Sequence, residues 1–450
     1  MESMTIREAA RACGGALSGV GDAERFLGRI VIDSRAVEAG DLFAAYRGEK
    51  TDGHRFITAA LDRGAACCLA ERAPEGEKRL LILVPDVQRA IEAIAAAWRE
   101  RLSIPVIGVT GSVGKTSAKE MLYAVLSQRF RVLKTEGNFN NQIGVPMTVS
   151  RIGLRHEAAV VEMGISGFGE MSELARIARP TAAVYTVIGH AHLEFLGDLE
   201  GVRRAKAEML DFLPEEAPVF VNGDDERLFM MPCRQRKIAY GLTARCEVRA
   251  EKVEPLPDGT TACEIVAPGR RIAVRIPAFG RHMVYAALAG AAAGLYYGLS
   301  DEEIAAGVSS YETVGRRAAV TDTGSVTLID DCYNANPDSS RSGVDSLLEL
   351  PGRHVCIFGD MLELGEGERE LHRRLGEYAA QSGADLVAAC GPLSACTAEG
   401  AGSRGRWFDN REELIRALPE LLRPGDAVLV KASRSMRFEE ISEAIKQLRL

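Results

Sequence analysis

The stretch Ile104-Pro-Val-Ile-Gly-Val-Thr-Gly-Ser-Val-Gly-Lys-Thr-Ser117 constrains this chain more than any other. It opens with β-branched residues, as a buried strand does, and then turns through Gly108, Gly111 and Gly114. A helical pattern follows, Ala118-Lys-Glu-Met-Leu-Tyr-Ala-Val-Leu126. Strand, glycine-rich turn, Lys-Thr and helix are the parts of a phosphate cradle. In such a loop, here Gly111 to Ser117 with Ser112 and Gly114 inside it, backbone N–H groups close around phosphate oxygens. The helix N-terminus adds its partial positive charge. Lys115 is placed to reach the outer phosphates and the Thr116 hydroxyl to hold Mg²⁺. The spacing is G-x-x-G-x-x-G-K-T, and Val109 stands where a strict phosphate loop has glycine.

A chain of 450 residues is too long for one ordinary domain. Its composition is globular, 46% hydrophobic and 26% charged, and its net charge of −8 argues against a general nucleic-acid binder. The ten cysteines include no C-x-x-C pair, which fits a reducing cytoplasm and not a zinc knuckle. The first residues lack the layout of a signal peptide. Met283 to Leu299, the longest uncharged run, is short for a membrane span and reads as a packed internal helix.

Three α/β regions are expected. Residues 1–84 form a small module with a helix at Ile6–Cys13 and a strand at Arg29–Ile32. A helix at Phe56–Arg63 and a strand at Ala66–Leu69 follow. Its polar clusters are Asp33-Ser-Arg35 and Thr51-Asp-Gly-His54; the first, taken alone, reads as a capped turn before it reads as a ligand site. Residues 85–313 form the phosphate-loop domain. An amphipathic helix (Val87, Ile91, Ile94, Ala95, Trp98) feeds the loop strand. The polar stretch Thr135-Glu-Gly-Asn-Phe-Asn-Asn-Gln-Ile-Gly-Val-Pro146 comes after the loop helix. The strand Ala158–Val161 ends in Glu162. A carboxylate there faces the nucleotide crevice of a parallel sheet, or else is a surface turn residue. A second strand ends in Gly189-His-Ala-His192. Strands at Pro218–Val221, Lys237–Tyr240, Cys246–Val253, Thr261–Val266 and Arg271–Ile276, with turns such as Pro257-Asp-Gly259, read as an antiparallel extension. Residues 314–450 restart an alternation. Strands at Thr327–Ile329, His354–Phe358, Leu386–Ala389 and Ala427–Val430 alternate with helices, which predicts a doubly wound parallel sheet.

With these segments side by side, the chain resembles the Mur ligase family over nearly its full length. The motifs that carry the resemblance are the loop Gly108–Thr116, the stretch Thr135–Pro146, Asp330-Asp-Cys-Tyr-Asn-Ala-Asn-Pro-Asp-Ser339 and Gly359-Asp-Met-Leu-Glu-Leu-Gly365. Within the family it is similar to the type that adds D-alanyl-D-alanine to UDP-N-acetylmuramoyl-tripeptide, a step of peptidoglycan precursor synthesis. The resemblance implies a UDP-sugar-binding first domain, an ATPase core and a Rossmann-like third domain. ATP and two Mg²⁺ ions are implied as well, with Lys206 carbamylated as a metal ligand. Without the resemblance, Lys206 reads as a solvated helix residue.

Lys115, Glu162, His192 and Lys206 would carry catalysis, the last three and Thr116 holding metal. Gly111, Ser112, Gly114, Ser117, Asn138, His282, Arg316 and Asp331 would bind nucleotide. Ser34, Arg35, Asp52, His54, Asn140, Asn141, Asn334, Asn336, Lys431, Ser433 and Arg434 would meet the other substrates. The enzyme is expected to be a cytoplasmic monomer with no nucleic-acid partner and no membrane insertion. The chain departs from the family at Ala286, where an asparagine usually meets the adenine, and at Val187 and Ala432. Two alternatives stay open: a relative that adds another amino acid or dipeptide to a nucleotide sugar, and a non-catalytic ATP-binding switch.

Overall fold

Three sheets, each with its own helices, follow one another along the chain. The structure, a computed structural model, describes residues 1–48, 51–256, 258–316 and 318–450. Pro257, which opens the expected turn Pro257-Asp-Gly259, lies outside the described residues.

The first sheet has the order Ala16–Ser18, Leu81–Leu83, Cys67–Ala70, Leu42–Ala44, Ile30–Val31, parallel except at its first strand. The helix Ile6–Ala12 starts at a capping box between Thr5 and Glu8. The expected helices and strands of this region form with no end displaced by more than one residue.

The second sheet has nine strands, and the phosphate-loop strand Val106–Thr110 lies inside it between Ala182–Tyr185 and Ala158–Glu162. The expected antiparallel extension is only partly correct. Pro218–Asn222, Arg236–Gly241 and Val248–Pro255 continue the sheet in parallel, and Thr261–Ala267 then pairs antiparallel with Val248–Pro255 and with Arg270–Ile276. Periodicity marks a strand but not the direction of its partner; the connection decides that. A short crossover helix, Glu226–Phe229, lies between Pro218–Asn222 and Arg236–Gly241 and lets them run the same way. The burial agrees. Every residue of Pro218–Asn222 is buried, as in a covered parallel sheet, whereas Arg270–Ile276 alternates with one wet face.

Helices Lys115–Leu126 and Arg281–Tyr296 cover one face of this sheet, and Val87–Arg99 lies on the other. The uncharged run is thus an internal helix, as its composition predicts. Gly290 permits the close crossing, since a Cβ there would lie 3.0 Å from Met121 Cγ. Among the described residues no helix is long and apolar enough to cross a membrane.

The first two sheets share one apolar core. Met4, Ile6, Leu42 and Ile82 belong to the same cluster as Trp98, Val149, Val161 and Met209. Polar ties reinforce it. Ile30 N–H donates to Ser150 Oγ at 3.1 Å and Trp98 Nε1 to Ile152 O at 2.9 Å.

The third sheet has the order Ala319–Asp322, Thr327–Asp330, Ala427–Lys431, His354–Gly359, Leu386–Cys390, Gly405–Phe408, parallel beyond its first hairpin. Two of these strands, Ala319–Asp322 and Gly405–Phe408, were not among those expected, and neither were helices Pro337–Leu348 and Ser394–Gly400. Its two cores contain no residue of the other sheets. All ten cysteines are free.

Candidate active site

Val109 is a fully buried residue of the central strand, opposite Glu162 on one side and Val184 on the other. A glycine is not needed there because the chain has not begun to turn. The turn needs glycine at Gly111, with φ +149° and a would-be Cβ 1.9 Å from Thr186 Oγ1, and at Gly114, with φ +81° at the helix entrance. Ser112 locks the loop against the next strand end. Its N–H donates to Val187 O at 2.8 Å, and its hydroxyl both donates to Gly189 O and accepts from Gly189 N–H. Lys115 Nζ donates to Gly111 O at 2.7 Å, which places its charge over the loop.

Beneath the loop Thr116 Oγ1 donates to Glu162 Oε2 at 2.9 Å and Asn140 Nδ2 to Glu162 Oε1 at 2.8 Å. Glu162 is 1% exposed, so the reading as a surface turn residue is excluded. A buried hydroxyl and carboxylate at the helix entrance form a hard-oxygen pair whose chemistry suits Mg²⁺. Among the described residues no three His, Cys, Asp or Glu side chains gather as a metal group.

The sequence reading missed Lys119. It is fully buried one turn into the helix, 3.0 Å from Glu120 Oε1 and 3.7 Å from Glu162 Oε2. Lys134 closes the chain of charges by pairing with Glu120 from the rim. The one available signal was its spacing, four residues after Lys115 on the same helix face.

The opposite wall comes from the third sheet. Lys431 Nζ, at a strand end, donates to Asp331 Oδ2 at 2.5 Å and to Asn334 O at 3.0 Å. Asn336 caps helix Pro337–Leu348 by accepting from Ser339 N–H. Between loop and wall is a cavity of about 450 Å³. Its lining brings together Ser112, Gly114, Lys115, Ser117, Asn138, Asn140, Asn141, Glu162, His192, His282, Asp331, Asn334, Asn336 and Lys431. His282 Nδ1 is buried there without a hydrogen-bond partner. Burial holds this ring below the usual imidazole range, Asp331 opposing and Lys431 adding to the effect. His192, in the left-handed region at φ 57°, reaches across to Glu363, with Nδ1 2.5 Å from Oε2.

Other expected residues lie away from the cavity wall. Gly111 and Thr116 sit just under it. Lys206 is 1% exposed on helix Leu199–Ala207, and burial together with the charge of Lys115 pushes its ammonium well below the ordinary lysine range, against a smaller pull from Glu170. Arg316 is held by Asp330 at 2.8 Å and Glu443 at 2.7 Å. Ser433 Oγ accepts from Leu362 N–H, and Arg434 is exposed over the Tyr333 ring. In the first domain Ser34 and Arg35 form a short 3₁₀ turn capped by Asp33, which also pairs with the Arg35 guanidinium at 2.8 Å. Asp52 bonds His54 Nδ1 and Arg72, and His54 Nε2 accepts from Glu71 N–H, so both ring nitrogens are engaged in the fold.

The departures have simple geometry. Ala286 and Ala432 are buried in apolar cores, and Val187 serves through its carbonyl.

Three family models match the chain: the Mur ligase family catalytic domain over residues 28–106, the Mur ligase middle domain over 109–294 and the Mur ligase glutamate ligase domain over 315–434. The UDP-N-acetylmuramoyl-tripeptide–D-alanyl-D-alanine ligase of Bacillus subtilis is 36% identical over 98% of both chains, and that of Escherichia coli 34% over 99% of both. A crystal structure of MurF from Acinetobacter baumannii superposes with a TM-score of 0.90 at 30% identity, covering 99% of each chain. MurF ligase from Thermotoga maritima in complex with ADP superposes at 0.81 and 30% identity, covering 93% of this chain and 97% of that one. The chain belongs to the Mur ligase family.

Proposed function

We propose that this protein is an ATP-dependent ligase that joins D-alanyl-D-alanine to UDP-N-acetylmuramoyl-tripeptide, with ADP and phosphate as the other products. The observation that carries this reading is a cavity in which the phosphate loop faces Asp331, Asn334 and Lys431 of the third domain. Near-full-length likeness to relatives bearing that name supplies the substrates.

The chemistry follows from the residues. A carboxylate does not condense with an amine in water because hydroxide leaves poorly. Transfer of the ATP γ-phosphoryl group to the tripeptide carboxylate makes an acyl phosphate. The dipeptide amine attacks its carbonyl carbon, and phosphate departs as the C–O bond breaks. Phosphoryl transfer needs alignment and charge neutralisation above all. Lys115 and the N–H groups of the loop provide both. Thr116 and Glu162 would hold one Mg²⁺, and His192 with Lys206 a second. The ions supply Lewis-acid neutralisation of phosphate charge.

Lys206 serves that role as a carbamate: its neutral amine attacks CO₂, loses a proton and becomes an anion. Burial that disfavours its ammonium supports this reading. Closure of the third domain over the loop keeps water from the acyl phosphate. Asn138, His282, Asp331 and Arg316 are assigned to the nucleotide. Asn140, Asn141, Asn334, Asn336, Lys431, Ser433 and Arg434 are assigned to the peptide and dipeptide, and Ser34, Arg35, Asp52 and His54 to the UDP end. The domains are 1–84, 85–313 and 314–450, in a cytoplasmic monomer.

The test is phosphate release from ATP with the two acceptor substrates supplied singly and together. Release that requires both, with a product of the mass of the pentapeptide nucleotide, is the expected result. Release indifferent to the pair would overturn the reading.

A further inference from the structure

The segment Val187–Glu194 touches two bodies at once. On one side it is bound to the phosphate loop through Ser112, by the three hydrogen bonds to Val187 and Gly189 given above. On the other it is bound to the third domain. Asp338 Oδ2 accepts the His190 N–H at 2.6 Å, and the same carboxylate meets His190 Nδ1 at 3.0 Å. Further along, Glu194 N–H donates to Glu363 O at 3.4 Å. Asp338 stands in the first turn of Pro337–Leu348, the helix that Asn336 caps, within the motif that also carries Asp331 and Asn334. Gly189 makes the approach possible. A Cβ there would lie 2.4 Å from Asp338 Oδ2, although the backbone at Gly189 is not in the left-handed region.

We propose that Asp338 is a positioning residue, which docks the third domain onto Gly189 and His190 and so fixes Asp331, Asn334 and Lys431 over the phosphate loop. Ser112 completes the link. A shift of the loop moves Gly189 through the Ser112 hydroxyl and Val187 through the Ser112 N–H, and the next residue, His190, binds the carboxylate of the opposite domain. Loop conformation and domain docking are therefore read by the same two peptide units. A carboxylate accepting a backbone N–H is a strong, directional bond, and in a half-buried cleft it is not readily replaced by water. The inference rests on the ligase reading for its kinetic arm only.

The experiment uses the full chain. Asp338→Ala is expected to lower kcat/KM for the dipeptide about 10- to 100-fold, chiefly through KM, because the wall that receives it is no longer held. Asp338→Asn keeps an oxygen for the His190 N–H and is expected to recover most of the loss. Gly189→Ala attacks the same contact from the other domain by bulk and is expected to act in the same direction. Small-angle X-ray scattering with ADP and UDP-N-acetylmuramoyl-tripeptide bound provides a readout that needs no turnover. Asp338→Ala and Gly189→Ala are expected to be more extended than the wild type and Asp338→Asn. Equal scattering and equal kinetics across all four proteins would overturn the proposal. So would an Asp338→Asn as impaired as Asp338→Ala, since the bond would then not be what matters. An inactive wild type whose scattering still separates the variants would count against the ligase reading and leave the docking contact standing.

Discussion

Two neighbourhoods of the central domain each bury a lysine, and their difference shows what burial is for. Around Lys119, at the foot of the phosphate-loop helix, Glu120 and Glu162 stand within 3.0 and 3.7 Å, with Lys134 beyond Glu120. Charges alternate from the core to the rim. Around Lys206 the opposite holds: burial and the repulsion of Lys115 outweigh the pull of Glu170. The first lysine stands against two carboxylates and holds them in place. In the second, burial disfavours the ammonium, which suits the proposed carbamylation of the amine.

The comparison breaks most visibly in activity. Lys206→Met is expected to reduce ligase turnover about 100- to 1000-fold, in line with losing one preorganised charge at a transferring phosphoryl group. Phosphate release reports it, and wild-type activity should rise with added bicarbonate where that of Lys206→Met does not. In stability the two lysines should exchange rank. Lys119→Met leaves Glu120 and Glu162 buried with one cation fewer and should cost about 3–5 kcal/mol in urea denaturation, whereas Lys206→Met should be neutral or stabilising by ~1 kcal/mol. Equal losses at the two sites would erase the distinction.

A smaller effect appears with pH. The Lys206 ammonium is depressed in the folded chain below its ordinary value of 10.5. Between the two values the unfolded chain binds a proton that the folded chain does not. Stability should therefore climb as pH rises through that window. Denaturation midpoints at pH 7, 8 and 9 in CO₂-free buffer should show this climb in the wild type and its loss in Lys206→Met. The least is expected at the rim. Lys134 is partly exposed, and Lys134→Met should cost about 0–1 kcal/mol, weakening further in salt.

What the sequence could show follows from range. The phosphate loop, Glu162 at a strand end and the asparagine-rich stretch are local patterns, and the fold sets each beside the cavity. Lys119 was invisible because its partners lie one and forty-three positions away, and a helix lysine reads as solvated. Strand existence from Pro218 to Ile276 was legible, but pairing direction was not, since the helix in the crossover, Glu226–Phe229, is only four residues long. Helix Pro337–Leu348 was hidden behind a motif whose serines and asparagines suggest a loop, although its Asn336 cap and Pro337 are helix-start signals. Arg316, outside the cavity lining, stands in ion pairs with Asp330 and Glu443, partners that no local pattern announces.

The apolar core common to the first two sheets has a mechanical consequence. Sliding one against the other would shear a continuous hydrophobic mass that includes Met4, Leu42, Trp98 and Val161. The third sheet, complete in its own two cores, meets the rest through polar contacts such as those of Asp338 and Glu363. Among the described residues the apolar core is therefore continuous through the second sheet and starts afresh in the third. The first two domains are expected to travel as one anvil, with the last domain swinging against them.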